Sequence, residues 1–180
     1  MRRVDEERKY YLRAAAVVPG TDCERIRDTL RPLLLGRSTR LHWRDERPTR
    51  RQLVAKTITA ARVQSLVVVG AMLNHRKEER ARQLVMRHLL HELDRRSVST
   101  VLLESRHPDR DRHDLATIGG FRNAHVISRR LGVSHGYPVQ EPLLWVPDAV
   151  AGAAGEHRTG DSSCYQHLDD LVALVDLGII

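Results

Sequence analysis

One apolar run constrains the fold of this chain more than any other feature. It extends over residues 65–73 and has three consecutive valines, Val67, Val68 and Val69, at its centre. A strand that shows no alternation of polar and apolar residues is typical of a sheet that is covered on both faces. The run therefore predicts an α/β protein whose sheet carries helices on each side.

Strand-like and helix-like segments alternate along the rest of the chain. Further strands are predicted at 10–18, 39–43, 100–104 and, at an edge, 135–139. Helices are predicted at 22–35, 53–61, 77–95, 111–130 and 168–177, and Pro142 suits the first turn of another helix. We expect a single domain over residues 1–180 with a central sheet of 10–18, 39–43, 65–73 and 100–104. Residues 155–180 are expected to form a C-terminal tail with a short helix.

The composition fits a globular protein with a basic surface. Of the 180 residues, 41% are hydrophobic and 29% are charged, and the formal net charge is +7. Such a surface suits a polyanion, either DNA or RNA; the alternative is that the arginine content reflects a GC-rich genome. Cys23 and Cys164 lack metal-ligand spacing, so a reducing compartment, the cytoplasm, is expected. No segment has the length and apolarity of a membrane span.

Two acidic residues stand alone at the ends of apolar elements. Asp148 lies inside the apolar run 142–153, and Glu104 closes the strand-like run 100–103. A lone carboxylate is costly to bury unless a cation or a hydrogen-bonding partner compensates. The pattern is typical of a divalent-metal nuclease site. It is equally typical of two structural carboxylates, with Glu104 paired to Arg106 and Asp148 capping a helix that begins after Pro147.

Four segments together carry a resemblance to a known family. They are 10–18 (YYLRAAAVV), 41–43 (LHW), 101–106 (VLLESR) and 142–153 (PLLWVPDAVAGA). In this order and spacing they resemble the domain-of-unknown-function 3800 family, particularly its actinobacterial members. The resemblance implies a ribonuclease H-like fold, a mixed sheet flanked by helices.

The resemblance also implies a two-metal nuclease site. Glu104 and Asp148 match acids of the family, with Pro147 in place of the usual alanine, and His42 matches a family histidine. Mg²⁺ or Mn²⁺ would be the cofactor, because clustered carboxylates supply the hard oxygen ligands that these ions prefer. His42 or Glu46 would complete the site or move a proton. The implied substrate is a nucleic-acid phosphodiester in DNA or RNA.

The chain departs from the family at its first strand, which normally carries an Asp-Glu-Ser motif. The acidic stretch at 5–7 is a degenerate match, and Asp5 would be the third metal ligand, but only four residues precede it. We therefore expect the first strand to be missing, through a misplaced start or a genuine truncation, and Mg²⁺ binding and cleavage to be weak. The strand at 10–18 would then expose a sheet edge that favours a homodimer. The alternative function is a non-catalytic nucleic-acid- or protein-binding module with a degenerate site.

Overall fold

A computed structural model describes residues 9–72 and 78–180 of the chain. Five strands and five longer helices form its framework in these two ranges. In chain order they are β1 (Lys9–Val17), α1 (Cys23–Leu30), α2 (Pro48–Ala60), β2 (Gln64–Met72), α3 (Glu78–Arg95), β3 (Thr100–Glu104), α4 (Pro108–Asn123), β4 (Gly132–Gly136), α5 (Trp145–Arg158) and β5 (Val172–Ile179). Short 3-10 helices join several of them, among them Trp43–Asp45 and Pro142–Leu144.

The main sheet is mixed and has three strands in the order β1-β2-β5. The central strand, β2, pairs antiparallel with β1 and parallel with β5. Apart from Gln64, every residue of β2 is buried, as the uninterrupted apolar run predicts. The predicted strands 10–18 and 65–73 are thus confirmed, except that Leu73 lies outside the described residues.

Helices cover both faces of this sheet, so the predicted mixed sheet flanked by helices is confirmed. On one face, Val67 packs with Leu12 of β1 and with residues of α1, α2 and α5, such as Val150. On the other face, Leu66 packs with Leu89 and its neighbours on α3. Complete burial of a valine or leucine side chain contributes about 1.5–3 kcal/mol, so this two-sided packing is a main source of stability.

The strand at 100–104 forms at the predicted place but not in the predicted sheet. It pairs in parallel with β4 as a separate two-stranded sheet. Residues of β3 alternate between exposed and half-buried, and Val101 and Leu103 pack towards Leu90 and Ile118 of the flanking helices. A short strand with this alternation suits a sheet covered on one face, not the doubly covered central sheet.

The predicted strand at 39–43 is wrong. Leu41 and Trp43 are buried and alternate with more exposed neighbours, which is the pattern of a strand. The backbone is extended at His42 and then enters the 3-10 helix Trp43–Asp45. No ladder forms because the Trp43 N–H donates to the carboxylate of Asp148.

The predicted terminal helix at 168–177 is also wrong. Two 3-10 turns, Tyr165–His167 and Asp169–Leu171, lead into strand β5, which pairs with β2. Residues 155–180 are therefore not a tail: they hold the end of α5 and one strand of the main sheet. A short apolar run does not distinguish strand from helix by periodicity alone, and here the free side of β2 decides the outcome.

The remaining elements differ from prediction mainly in their ends. The helix predicted at 111–130 is α4 at 108–123, and the edge strand predicted at 135–139 is β4 at 132–136. Pro147 lies in the first turn of α5, where a missing N–H breaks no helical hydrogen bond. Within the described ranges, no helix combines the length and the apolarity needed to cross a membrane.

Trp43 joins the 40–46 segment to helix α5 through a close contact. Its buried ring lies against Gly152, where an added Cβ would be 2.2 Å from Trp43 Cδ1. The indole Nε1 donates to Glu156 Oε1 at 3.0 Å, and the Arg51 guanidinium lies 5.6 Å from the centre of the ring. Glycine at 152 is therefore a requirement of packing.

We expect Gly152→Ala to lower the free energy of unfolding by about 1–3 kcal/mol, because the new methyl group overlaps the indole. Gly155→Ala on the same helix is the matched control, since an added Cβ there meets no atom within 4 Å. That control is expected to gain roughly 0.5–1 kcal/mol from the higher helix propensity of alanine. Urea denaturation measures both. Equal stability of the two variants would contradict the proposed contact.

Candidate functional site

Asp148 lies in the first turn of α5 and bonds to a distant segment. Its Oδ2 accepts a hydrogen bond of 2.7 Å from the Trp43 backbone N–H and lies 2.8 Å from His42 Nδ1. Both donors belong to the 40–46 segment, not to helix α5. The interpretation of Asp148 as a cap of its own helix is therefore wrong.

The contact with Asp148 determines the tautomer of His42. A carboxylate oxygen only accepts hydrogen bonds, so Nδ1 of His42 must carry the hydrogen in this contact. Nε2 then remains as a lone-pair acceptor when the ring is neutral. The imidazole is 40% exposed, which gives a water molecule or a ligand access to it. This is the arrangement in which a carboxylate orients a histidine for proton transfer.

Glu104 ends β3 and carries a carboxylate whose charge is poorly compensated. Its nearest ion-pair partner is Arg40, with Nη1 at 3.8 Å from Glu104 Oε1. Burial of the carboxyl, and next the negative charge of Asp148, raise the pKa of Glu104 above its ordinary value. Arg40 and His42 act in the opposite direction with smaller effect. Ionised Glu104 is thus a group that an additional cation would stabilise.

One narrow cleft brings these side chains together. Its lining residues come from the 40–46 segment, the end of β3, the turn after β4 and the start of α5. They are Arg40, Leu41, His42, Glu104, Pro138, Leu144, Trp145 and Asp148. The structure therefore places Glu104, Asp148 and His42, three of the residues selected from the sequence, in the same cleft.

Other predicted site residues lie elsewhere. The Glu46 carboxylate accepts from Arg50 at 3.2 Å and is not part of the cleft lining. Asp5 lies outside the described residues. Arg106, proposed as a structural partner of Glu104, bonds instead to Asp114 at 3.5 Å. Arg40 is the member of the cleft that sequence reasoning missed, because one arginine in an arginine-rich chain carries no distinguishing signal.

The sequence contains two pairs of adjacent arginines, 50–51 and 95–96, a feature that suits contact with phosphate. The pair 50–51 is occupied in the fold: Arg50 bonds to Glu46 and to the Leu33 carbonyl, and Arg51 bonds to Glu156 and the Trp43 carbonyl. These side chains hold the 40–46 segment in place. At the pair 95–96, Arg95 bonds only weakly, to Glu92 at 3.4 Å.

The charged stretch 106–114 also has a structural role. Asp114 is buried on α4 and forms an ion pair with Arg82 of α3, which in turn bonds to Glu79. The hydrogen bond from Arg82 lowers the pKa of Glu79 to about 2. These charges join two helices and lie outside the lining of the cleft.

The cleft offers two carboxylates to a divalent ion but, among the described residues, no closed set of ligands. Across residues 9–72 and 78–180, no three His, Cys, Asp or Glu side chains are grouped closely enough to enclose a metal ion. Mg²⁺ commonly keeps several water ligands and binds proteins through one or two carboxylates. Glu104 and Asp148 supply two such carboxylates in one cleft.

Comparison with known proteins gives no family for this chain. No protein-family model, curated protein or solved structure matches it. The resemblance to the domain-of-unknown-function 3800 family therefore stays a prediction, and the geometry of the cleft carries the functional argument.

The raised pKa of Glu104 predicts a pH-dependent gain of stability in Glu104→Gln. A raised folded-state pKa means that stability is lost as the pH rises from the ordinary value of 4.5 through the folded value. The amide cannot ionise, so we expect the variant to have a higher thermal midpoint at about pH 7 and an equal one at about pH 3.

Glu79→Gln is the control of opposite sign. The pKa of Glu79 is lowered to about 2, so its contribution is present above 4.5 and is lost as the pH falls towards 2. This variant should be less stable than the wild type at neutral pH. Thermal unfolding followed by circular dichroism across the pH range measures both. A Glu104→Gln variant destabilised at neutral pH would contradict the assignment.

Proposed function

We propose that this cleft is a metal-dependent nuclease site that hydrolyses nucleic-acid phosphodiesters. The observation that carries the proposal is the convergence of Glu104, from the end of β3, and Asp148, from the first turn of α5, beside His42. Carboxylates contributed by separate elements to one cleft are suitable ligands for a divalent ion, and the ion in turn binds the phosphate of the substrate. A ribonuclease H-like arrangement of the sheet is part of the same proposal.

Each side chain has a distinct role in this proposal. Glu104 and Asp148 would hold Mg²⁺ or Mn²⁺, and the ion would polarise the phosphate and acidify water. His42, oriented through Nδ1 by Asp148, takes a proton at Nε2. Arg40, whose side chain is 54% exposed, contacts a phosphate oxygen of the substrate. The net charge of +7 supports a polyanionic substrate.

Metal binding tests the proposal independently of catalysis. Isothermal titration with Mn²⁺ should show binding that Glu104→Gln and Asp148→Asn each weaken by roughly tenfold or more, since each removes a ligand charge. Both variants keep the shape of the side chain, and an asparagine at 148 retains an acceptor for the Trp43 N–H. Glu46→Gln is the matched control, because that carboxylate pairs with Arg50 outside the cleft. Unchanged Mn²⁺ binding in both cleft variants would end the metal proposal.

Cleavage of labelled single-stranded and duplex DNA and RNA tests the reaction. We expect weak Mn²⁺-dependent cleavage, because the sequence lacks a clear match to the first acidic strand of the resembled family. This cleavage should be lost in Asp148→Asn and His42→Gln and retained in Glu46→Gln. Cleavage that persists in both Asp148→Asn and Glu104→Gln would assign the activity to another site or a contaminant.

A second function, a non-catalytic binding module, is favoured by one observation. Asp148 Oδ2 already receives two hydrogen bonds, so the residue also serves to fasten the 40–46 segment to α5. A structural role predicts that Asp148→Asn changes the unfolding midpoint while metal binding is absent in the wild type. Nucleic-acid binding that is indifferent to Mn²⁺ and to Glu104→Gln would support this function in place of the nuclease.

A further inference from the structure

A second cavity lies at the opposite end of the small sheet from the carboxylate cleft. It has a volume of about 550 Å³ and is formed by the C-terminal ends of α3 and α4 and by the segment that precedes β4. Its lining residues are His91, Asp94, Arg122, Asn123, His125, Val126, Ile127, Ser128 and Arg129. Because β3 and β4 are parallel, this cavity lies before their N-terminal ends, whereas Glu104 lies at the C-terminal end of β3.

The cavity has an excess of positive and hydrogen-bond-donating groups. Arg122, Arg129 and two histidines line it together with a single acid, Asp94. The Asp94 carboxylate is already committed, since it accepts from the Ser128 N–H and Ser128 Oγ, each at 2.7 Å. These hydrogen bonds hold the pKa of Asp94 below its ordinary value. Its charge is therefore satisfied locally, which leaves the arginines available to an anion.

The two arginines differ in the contacts that they make with the rest of the fold. Arg122 donates through one terminal nitrogen to the Leu131 carbonyl at 2.8 Å, while its buried Nε has no partner among the described residues. Arg129 is exposed and makes no hydrogen bond or ion pair with any part of the chain that the structure describes. An exposed guanidinium whose donors are not engaged, as at Arg129, is suited to bind a phosphate.

The helix end beside the cavity does not repel an anion as a free helix end would. The last carbonyls of α4 are occupied: Gly120 O accepts from Ala124, Phe121 O from Val126 and Arg122 O from His125. These capping bonds use the groups that carry the negative end of the helix dipole.

His125 lines the cavity in a backbone conformation that favours glycine. Its φ of 56° places it in the left-handed region, at the position after the helix where glycine is most common. A histidine there costs about 1–2 kcal/mol relative to an unstrained residue. Ser97 has the same conformation after α3, with φ of 60°, but is not part of the cavity lining. Among the described residues that line the cavity, His125 alone has this left-handed backbone conformation.

We propose that this cavity binds the 5′-phosphate monoester of a nucleotide, either free or at the end of a nucleic-acid strand. The phosphate binds Arg122 and Arg129 and accepts a hydrogen bond from His125, and the nucleoside packs on Val126. The volume lies in the range of sites for ligands of nucleotide size. The site is separate from the carboxylate cleft and needs no metal.

Binding in EDTA tests this site without involving the cleft. Isothermal titration with AMP, adenosine and inorganic phosphate separates the two halves of the ligand. AMP should bind roughly tenfold more tightly than either half, because charged hydrogen bonds and nucleoside packing each contribute. The affinities of a 5′-phosphorylated hexanucleotide and its 5′-hydroxyl counterpart are then compared. They show whether the site binds the phosphate at the end of a nucleic-acid strand. A preference for the phosphorylated strand in the absence of AMP binding assigns the site to strand ends.

His125→Gly separates binding from folding. Glycine relieves the backbone strain, so the thermal midpoint should rise by about 2–4 °C while affinity for AMP falls. Ser97→Gly is the matched control: it should raise the midpoint in the same way and leave affinity unchanged. Arg129→Gln should weaken AMP binding by roughly tenfold, and Arg130→Gln, an exposed neighbour outside the lining, should not.

Several results would overturn the proposal. The first is equal affinity for AMP and adenosine together with equal affinity for the phosphorylated and 5′-hydroxyl hexanucleotides. The others are measurable AMP binding that is no tighter than the binding of inorganic phosphate, and AMP binding that is unchanged in both His125→Gly and Arg129→Gln. Mn²⁺ binding that is unchanged in both cleft variants, with AMP binding intact, would overturn only the nuclease proposal, so the two failures are distinguishable.

Discussion

The hydrogen bond between the Trp43 N–H and the Asp148 carboxylate holds the cleft of this protein together. The residues are 105 apart in sequence, and the contact measures 2.7 Å. It fastens the 40–46 segment to α5, orients His42 and sets Asp148 near Glu104. The packing of Trp43 against Gly152 and the Arg51–Glu156 ion pair reinforce the same junction. The cleft therefore depends on tertiary contacts between loop and helix more than on the sheet.

The same junction explains why some parts of the structure could be predicted from the sequence and others could not. Strand β2 was predictable because a run without polar alternation has one favourable placement, in a doubly covered sheet. Glu104 and Asp148 were predictable as a pair because isolated acids in apolar runs need a partner. The 39–43 segment was not, since its alternation of buried and exposed residues is that of a strand. What decides its structure is an acceptor more than a hundred residues away, and local periodicity carries no information about that acceptor.

Arg40 and β5 were missed for related reasons. An arginine gains significance only when a carboxylate such as Glu104 is brought beside it, and composition cannot show which arginine that will be. The apolar residues of β5 suit either a helix or a strand, and the free side of β2 selects the strand. Glu104 itself carries a cost in stability: burial and the negative charge of Asp148 disfavour its ionised form, and the fold tolerates it.

The pairing of β2 with β5 has a consequence for how the chain is made. Ser65 pairs with Val172, so the parallel ladder joins residues that are separated by most of the chain. On a ribosome, β2 and β1 can pair early, but one side of β2 keeps its open N–H and C=O groups until β5 emerges. Contacts of such long range form slowly, and an uncovered apolar strand invites association with other chains. For this protein, the time between synthesis of β2 and of β5 is the period of greatest exposure to aggregation.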